Sequence, residues 1–217
     1  MKKDEVFQDL KKKIVAGEIA QGTWLTEREL CAAYGISRTP VREILWNLCS
    51  INLAFQDPDK GCRVRTFSIN DIIEVYNVRE AIEASCTRLA CLSTNPSYTE
   101  DIDELLSHLE NVDAFTNLDE SIKYGVKVHE FTRKECNNRY LLDFYNQIAD
   151  VTLLINNIAY THREIEEQSR QGHIAILKAL RKRDQAGSSK AMMDHLKFTC
   201  QHIVDVNYSN LQARIAE

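Results

Sequence analysis

Three histidines, His129, His173 and His195, stand where an imidazole could do chemistry. Each lies on or beside an apolar stripe at helical spacing. Ile122, Val126 and Cys136 accompany His129; Ile176, Leu177 and Leu180 accompany His173; Met192, Leu196 and Thr199 accompany His195. Three neutral imidazoles from separate helices can converge inside a bundle and hold a divalent metal. The same pattern suits three unrelated core histidines, each with its own hydrogen bond. No H-x-x-x-H or H-E-x-x-H motif separates the two readings. Arg79 and Glu83, four residues apart, share a stripe with Ile72, Tyr76, Cys86 and Ala90. At a surface they would form an ordinary i,i+4 ion pair, but their apolar company points to a buried face.

A second constellation lies near the N-terminus. Ser37, Arg38, Thr39 and Arg42 open a short apolar-periodic segment just after Gly35-Ile36. Arg38 and Arg42 fall on one helical face. Arginine suits bidentate guanine readout or phosphate contact, and hydroxyls at a helix start suit phosphate oxygens. A lone R-x-x-x-R pair is usually solvated surface charge; the helix start after a glycine turn is what gives this pair meaning. Arg28, one element earlier, is placed to meet the DNA backbone, and Lys60-Gly61 to touch phosphate or the minor groove.

The elements that would carry these residues follow from periodicity and turn chemistry. Glu5 to Ala16 is a helix on Val6, Leu10, Ile14 and Val15, stopped at Gly17. Thr26-x-x-Glu29 is a capping box that opens a second helix, ending at Gly35. Ser37 caps a third, with Pro40 in its first turn and Val41, Ile44, Leu45 and Leu48 inward. Leu53–Gln56 and Cys62–Arg65 then flank a Pro/Gly-bearing loop as a β-hairpin. Three helices and a hairpin make a winged helix-turn-helix. From residue 70 the pattern gives six helices, at 70–93, 98–115, 119–136, 138–158, 163–183 and 186–212, with short connections that imply an all-α bundle. The fold class expected is mainly α, with domains at 1–68 and 69–217.

Composition sets the outer bounds. Of 217 residues, 44% are hydrophobic and 27% charged, enough apolar material for a real core. No stretch reaches the roughly 18 apolar residues of a membrane span, and the N-terminus lacks the apolar core of a signal peptide, so a cytoplasmic protein is expected. Seven cysteines with no C-x-x-C pair read as reduced thiols, mostly small buried hydrophobes. Net charge is −5, but residues 1–66 hold 11 Lys/Arg against 9 Asp/Glu, and the remainder 16 against 23. A slightly basic front and an acidic back suit two modules with different partners.

The run from Gly22-Thr-Trp-Leu-Thr-Glu-Arg-Glu-Leu through Ser37-Arg-Thr-Pro-Val-Arg-Glu-Ile-Leu resembles the GntR family of bacterial transcription regulators. Cys31 and Ile44 stand where alanine is common. The resemblance implies operator contacts by Arg28, Arg38, Thr39, Arg42 and Gly61. Residues 70–212 resemble the FCD-type ligand-binding domain through V78-R-E-A-I-E83, V128-H-E-F-T-R, H173-I-A-I-L-K and M192-M-D-H-L. The six-helix length is similar to the VanR-like subgroup. That resemblance implies an effector pocket reached by Arg79, Glu83, His129, His173 and His195, with a carboxylate effector opposite Arg79. It also implies a metal, zinc or nickel, on His129, His173 and His195. Gly125 stands where the family carries an Asp ligand, so one negative charge is missing and the vacated space would enlarge the pocket. An aspartate at 125 would then restore a fourth ligand. Asn138 reads as a helix-start cap rather than a ligand, and Asn156, Asn157, Tyr160 and His162 as candidate pocket-wall donors.

Together these readings describe a non-enzymatic transcription regulator, most simply a repressor. A homodimer would bind a palindromic double-stranded operator and answer to a small organic acid. A metal-sensing regulator is the neighbouring alternative. A His₃ zinc hydrolase is the distant one, because Glu130, adjacent to His129, points about 100° away around its helix and no other carboxylate is placed as a general base.

Overall fold

In the computed structural model, residues 2–57, 61–157 and 163–215 are described, with side chains to residue 209. Local chemistry sets the N-terminal elements. Helix α1 (Lys3–Val15) buries Val6, Leu10 and Ile14. At Thr26 the side-chain oxygen accepts from the Glu29 amide, so the N-cap forms, but the hydroxyl donates to the Glu29 carboxylate at 2.7 Å. That carboxylate takes the hydroxyl rather than the Thr26 amide, which corrects the expected capping box to a simple N-cap. It opens α2 (Glu27–Tyr34), which ends on Gly35 in the left-handed conformation at φ 65°. Such a φ costs a side-chain-bearing residue roughly 1–2 kcal/mol. Helix α3 (Arg38–Ser50) follows with Val41, Ile44, Leu45 and Leu48 inward.

Strands β2 (Ala54–Asp57) and β3 (Gly61–Val64) form the expected antiparallel hairpin; the loop at 58–60 lies outside the described residues. A third strand, β1 (Trp24–Leu25), was not expected. It pairs with β3, Leu25 opposite Cys62, giving the sheet order β1-β3-β2. Two residues are too short for periodicity to reveal. Only the pairing shows the strand, reinforced by Arg63, which lies over the Trp24 ring and donates to the Gly22 carbonyl at 2.6 Å.

The other helices are α4 (Ile69–Ala90), α5 (Tyr98–Asn111), α6 (Leu118–Glu135), α7 (Arg139–Asn156), α8 (Arg163–Arg181) and α9 (Gln185–Ile215). Among the described residues none is long and apolar enough to cross a membrane. The chain divides into two compact units, residues 1–68 with 147–157, and 69–146 with 158–217. In the second, α4 and α9 pack along one another, α8 lies on α9, and α6 contacts both α4 and α8. Those four helices carry the three histidines and the Arg79–Glu83 pair. The second half of α7 belongs instead to the first unit. Leu154 is part of its core, Asp150 pairs with Lys11 at 2.6 Å, and Gln21 donates to the Leu154 carbonyl at 3.3 Å. Helical periodicity, which depends only on spacing, carries no sign of that change of company. All seven cysteines are free, and four are buried.

One buried acid ties two bundle helices together. Glu166 on α8 accepts a hydrogen bond from the Ser121 hydroxyl on α6 at 2.8 Å. Burial pushes its carboxyl up to about 7; Ser121 opposes the rise and Glu167 adds to it. The folded state therefore keeps this proton to about pH 7, whereas the unfolded chain releases it near the ordinary 4.5. Stability contributed by the protonated form is lost as pH rises through that window. Glu166→Gln should leave stability almost unchanged at pH 5 and raise it by about 1–3 kcal/mol at pH 8. Urea unfolding at the two pH values measures this; equal effects at both would contradict the assignment.

Candidate functional site

In the first unit, the described residues singled out for DNA are exposed on α2 and on or just before α3, or open β3. Arg28 is exposed in the first turn of α2, and Ser37, Arg38 and Thr39 are exposed where α3 begins. Ser37 takes the extended N-cap conformation, but its side chain makes no capping hydrogen bond, which corrects the expectation of a capping serine. The first-turn amides of α3 thus lack the Ser37 hydroxyl as an acceptor, and helix N-termini left uncapped favour anions. Arg42 is exposed and already engaged: its Nε donates to Glu27 on α2 at 2.7 Å. Gly61 opens β3 at φ 99°, and a Cβ there would meet nothing within 4 Å. Lys60 lies outside the described residues. Sequence reading missed Trp46, 70% exposed one turn beyond Arg42. Its only signal was position, off the stripe formed by Val41, Ile44, Leu45 and Leu48.

In the second unit the three histidines do converge. Nε2 of His129 on α6 lies 3.2 Å from Nε2 of His173 on α8 and 3.2 Å from Nε2 of His195 on α9. His173 and His195 are buried and His129 nearly so. Burial lowers the pKa of all three. For His173 and His195 the neighbouring imidazoles lower it well below the ordinary 6.5, while for His129 the Glu83 carboxylate partly opposes the fall. Near neutral pH all three rings are therefore uncharged.

Glu83 on α4 fixes the tautomer. Its Oε2 sits 2.7 Å from His129 Nδ1, and a carboxylate only accepts, so His129 carries its proton on Nδ1 and offers a lone pair at Nε2. One lone pair cannot accept well from two neighbours. At most one of the 3.2 Å contacts is then a well-formed N–H···N hydrogen bond, and a cation shared by the three nitrogens would relieve the crowding. Nδ1 of His173 and of His195 are buried without partners. With the proton on Nδ1, each would also turn an Nε2 lone pair inward. Two nitrogens bound tetrahedrally to zinc lie about 3.3 Å apart, close to the observed spacing. The donor set fits a divalent metal.

Arg79 and Glu83 are buried, so the surface-pair alternative is excluded. Arg79 Nε donates to Glu83 Oε1 at 2.8 Å, and Arg133 Nη1 reaches Oε2 at 3.4 Å. Burial alone would raise the Glu83 pKa; Arg79 first, then His129 and Arg133, hold it well below the usual range. Burial likewise would lower that of Arg79, and Glu83 more than offsets this. Both oxygens of Glu83 are engaged by the protein, which makes it an orienting group. Arg79 has a donor to spare, since Nη1 is buried with no partner.

Other expectations change. Gly125 leaves no vacated space: a Cβ there would stand 2.6 Å from Cε1 of His173, whose ring fills the volume. The pocket is not enlarged at that point, and an aspartate could not enter without displacing His173. Asn157 bonds the Val15 carbonyl in the first unit, so it is not a wall of the histidine site. Tyr160 and His162 lie outside the described residues. Asn138 is a cap, its Oδ1 accepting from the amides of Tyr140 and Leu141. Glu130 is exposed, which leaves the hydrolase alternative without a base.

Comparison with known proteins accords with both units. Residues 2–64 match the family of bacterial regulatory proteins called gntR, and residues 74–198 match the FCD domain. The HTH-type transcriptional regulator YdhC of Bacillus subtilis is 23% identical, the alignment covering 93% of this chain and 91% of that protein. The HTH-type transcriptional repressor RspR of Escherichia coli is also 23% identical, over 95% and 90%. Among solved structures, a putative GntR regulator from Rhodococcus superposes with a TM-score of 0.76 at 19% identity, over 94% of this chain and 97% of that one.

The buried carboxylate generates a prediction of its own. Glu83→Gln should cost about 3–5 kcal/mol in urea unfolding, because it leaves the Arg79 charge buried without its partner. A loss below about 1 kcal/mol would show that Glu83 is not the anchor of the site.

Proposed function

The chain belongs to the GntR family of bacterial regulatory proteins and carries an FCD domain, and from that premise we propose that it is a cytoplasmic repressor released from its operator by a small carboxylate. The observation that carries the effector half is the pairing of three inward-facing imidazole nitrogens with Arg79, whose Nη1 is buried without an acceptor. A buried guanidinium nitrogen left unpaired is costly, and a ligand carboxylate satisfies it. His129, His173 and His195 would hold zinc or nickel, and the ion would supply open positions to the oxygens of the same ligand. Three neutral nitrogens leave the metal's charge uncompensated, which favours an anionic ligand. The six bundle helices support the VanR-like subgroup.

The DNA half rests on α3. Arg38 and Arg42 read the major groove, Ser37, Thr39 and the free amides of the first turn take phosphate, and Arg28 and the Lys60-Gly61 loop touch the backbone. A homodimer matches a palindromic operator, since two-fold sites mirror two-fold proteins. Ligand control requires only that the effector bind the DNA-incompetent dimer better than the competent one. The metal-sensing alternative draws on the same three imidazoles and differs in which component is the signal.

Anisotropy of a labelled DNA fragment from upstream of the protein's own gene tests the reading. Arg38→Ala and Arg42→Ala should each weaken binding by about 1–3 kcal/mol where they read bases. Full affinity in the folded double variant would remove the helix-turn-helix assignment. Zinc alone should leave the complex intact, and zinc with a hydroxy- or keto-carboxylate should release it. Release by zinc alone would favour the metal sensor. Arg79→Lys, which loses the Nη1 donor, should weaken the carboxylate response by about tenfold or more.

A further inference from the structure

Two glycines lie inside helices α6 and α8, each against a histidine ring from a neighbouring helix. A Cβ on Gly125 would stand 2.6 Å from Cε1 and 2.9 Å from Nδ1 of His173. One on Gly172 would stand 2.8 Å from Nδ1 and 3.3 Å from Cβ of His195. Neither glycine has a positive φ, so backbone torsion does not call for glycine at either place. Each costs its helix about 1 kcal/mol against alanine. What glycine supplies at both sites is the missing Cβ.

The geometry points to Gly125 and Gly172 as the positioning residues of the imidazole cluster: Gly125 on α6 is the seat of the His173 ring, and Gly172 on α8 the seat of the His195 ring. His129 needs no such seat because Glu83 holds it by a hydrogen bond. Each imidazole is therefore set by a different element, and only one of the three by a polar bond. The Nδ1 atoms of His173 and His195 have no hydrogen-bond partner, so it is packing rather than a polar bond that holds these two rings.

The arrangement also determines metal class. With the His173 ring lying over Gly125, position 125 itself offers the cluster no ligand. The donors are three neutral nitrogens with no carboxylate among them. Such a set favours the borderline ions zinc, nickel and copper over magnesium or manganese, which take oxygen. The packing assignment stands on the distances alone; the choice of ion rests on the metal reading above.

The test uses the full-length protein and its Gly125→Ala, Gly172→Ala and Gly125→Asp variants. Cobalt(II) titration followed by its visible bands reports metal, with His173→Ala as the control against binding by cysteines. Nitrogen-15 imidazole spectra of the metal-free proteins report ring position. The seats predict that both alanine variants lose about tenfold or more in cobalt affinity, as orienting residues of metal sites do. His173 resonances should move in Gly125→Ala and His195 resonances in Gly172→Ala, and Gly125→Asp should bind cobalt no better than Gly125→Ala. Unmoved imidazoles with wild-type cobalt affinity and a raised melting temperature, the ordinary result of Gly→Ala in a helix, overturn the assignment. So does a gain in affinity for Gly125→Asp. If Gly125→Ala does not fold, Gly125→Ala/His173→Ala, which removes the ring, must fold, and its failure also overturns the assignment. Should the wild type take no cobalt, the metal reading falls, and the imidazole spectra alone decide the seats.

Discussion

The bundle is organised around one buried negative charge. Glu83 has no exposed surface and accepts from Arg79, His129 and Arg133 at once. Burying a lone carboxylate is prohibitive, so these partners are conditions of its presence. The same bonds draw α6 against α4, since His129 and Arg133 are one turn apart on α6. They also fix the tautomer of His129, whose Nε2 lies 3.2 Å from the Nε2 of both His173 and His195. Architecture and ligand chemistry thus share an atom: Oε2 of Glu83 holds two helices together and directs a lone pair toward the cluster.

How much of this could be read from the sequence depends on the range of the force concerned. Caps, turns and apolar stripes act over a few residues. The helix start capped by Thr26, the Gly35 stop and the six later helices therefore lie within a few residues of where spacing places them. The inward lean of His129, His173 and His195 follows from the same periodicity. Their convergence does not, because it depends on how α6, α8 and α9 are rotated against one another. Strand β1 was hidden for a related reason: Trp24 and Leu25 become a strand only because β3 lies beside them.

Gly125 shows where a sequence motif misleads. Read along the chain, a glycine in place of an acid is a deletion. Read across the interface, it is a contact surface for a ring that comes from 48 residues away in sequence. The second half of α7 gives the same lesson at larger scale. Its apolar residues have helical spacing like any other bundle helix, yet Leu154 sits in the core of the N-terminal unit. Periodicity says which face of a helix is buried and nothing about what buries it.

The ion pair between Arg42 and Glu27 bears on how such a protein searches a chromosome. With its guanidinium held at 2.7 Å by the Glu27 carboxylate, Arg42 would meet DNA partly neutralised if α3 reads it as proposed. Any phosphate can attract a bare arginine; this one must first be taken from Glu27. Random duplex, offering only diffuse backbone charge, gains little by the exchange, whereas a site presenting a well-placed bidentate acceptor gains more. On the operator reading proposed above, the pair would lower the residence time on indifferent sequence more than on the operator. That would leave more of the protein free to move between sites in a genome where almost every base pair is the wrong one.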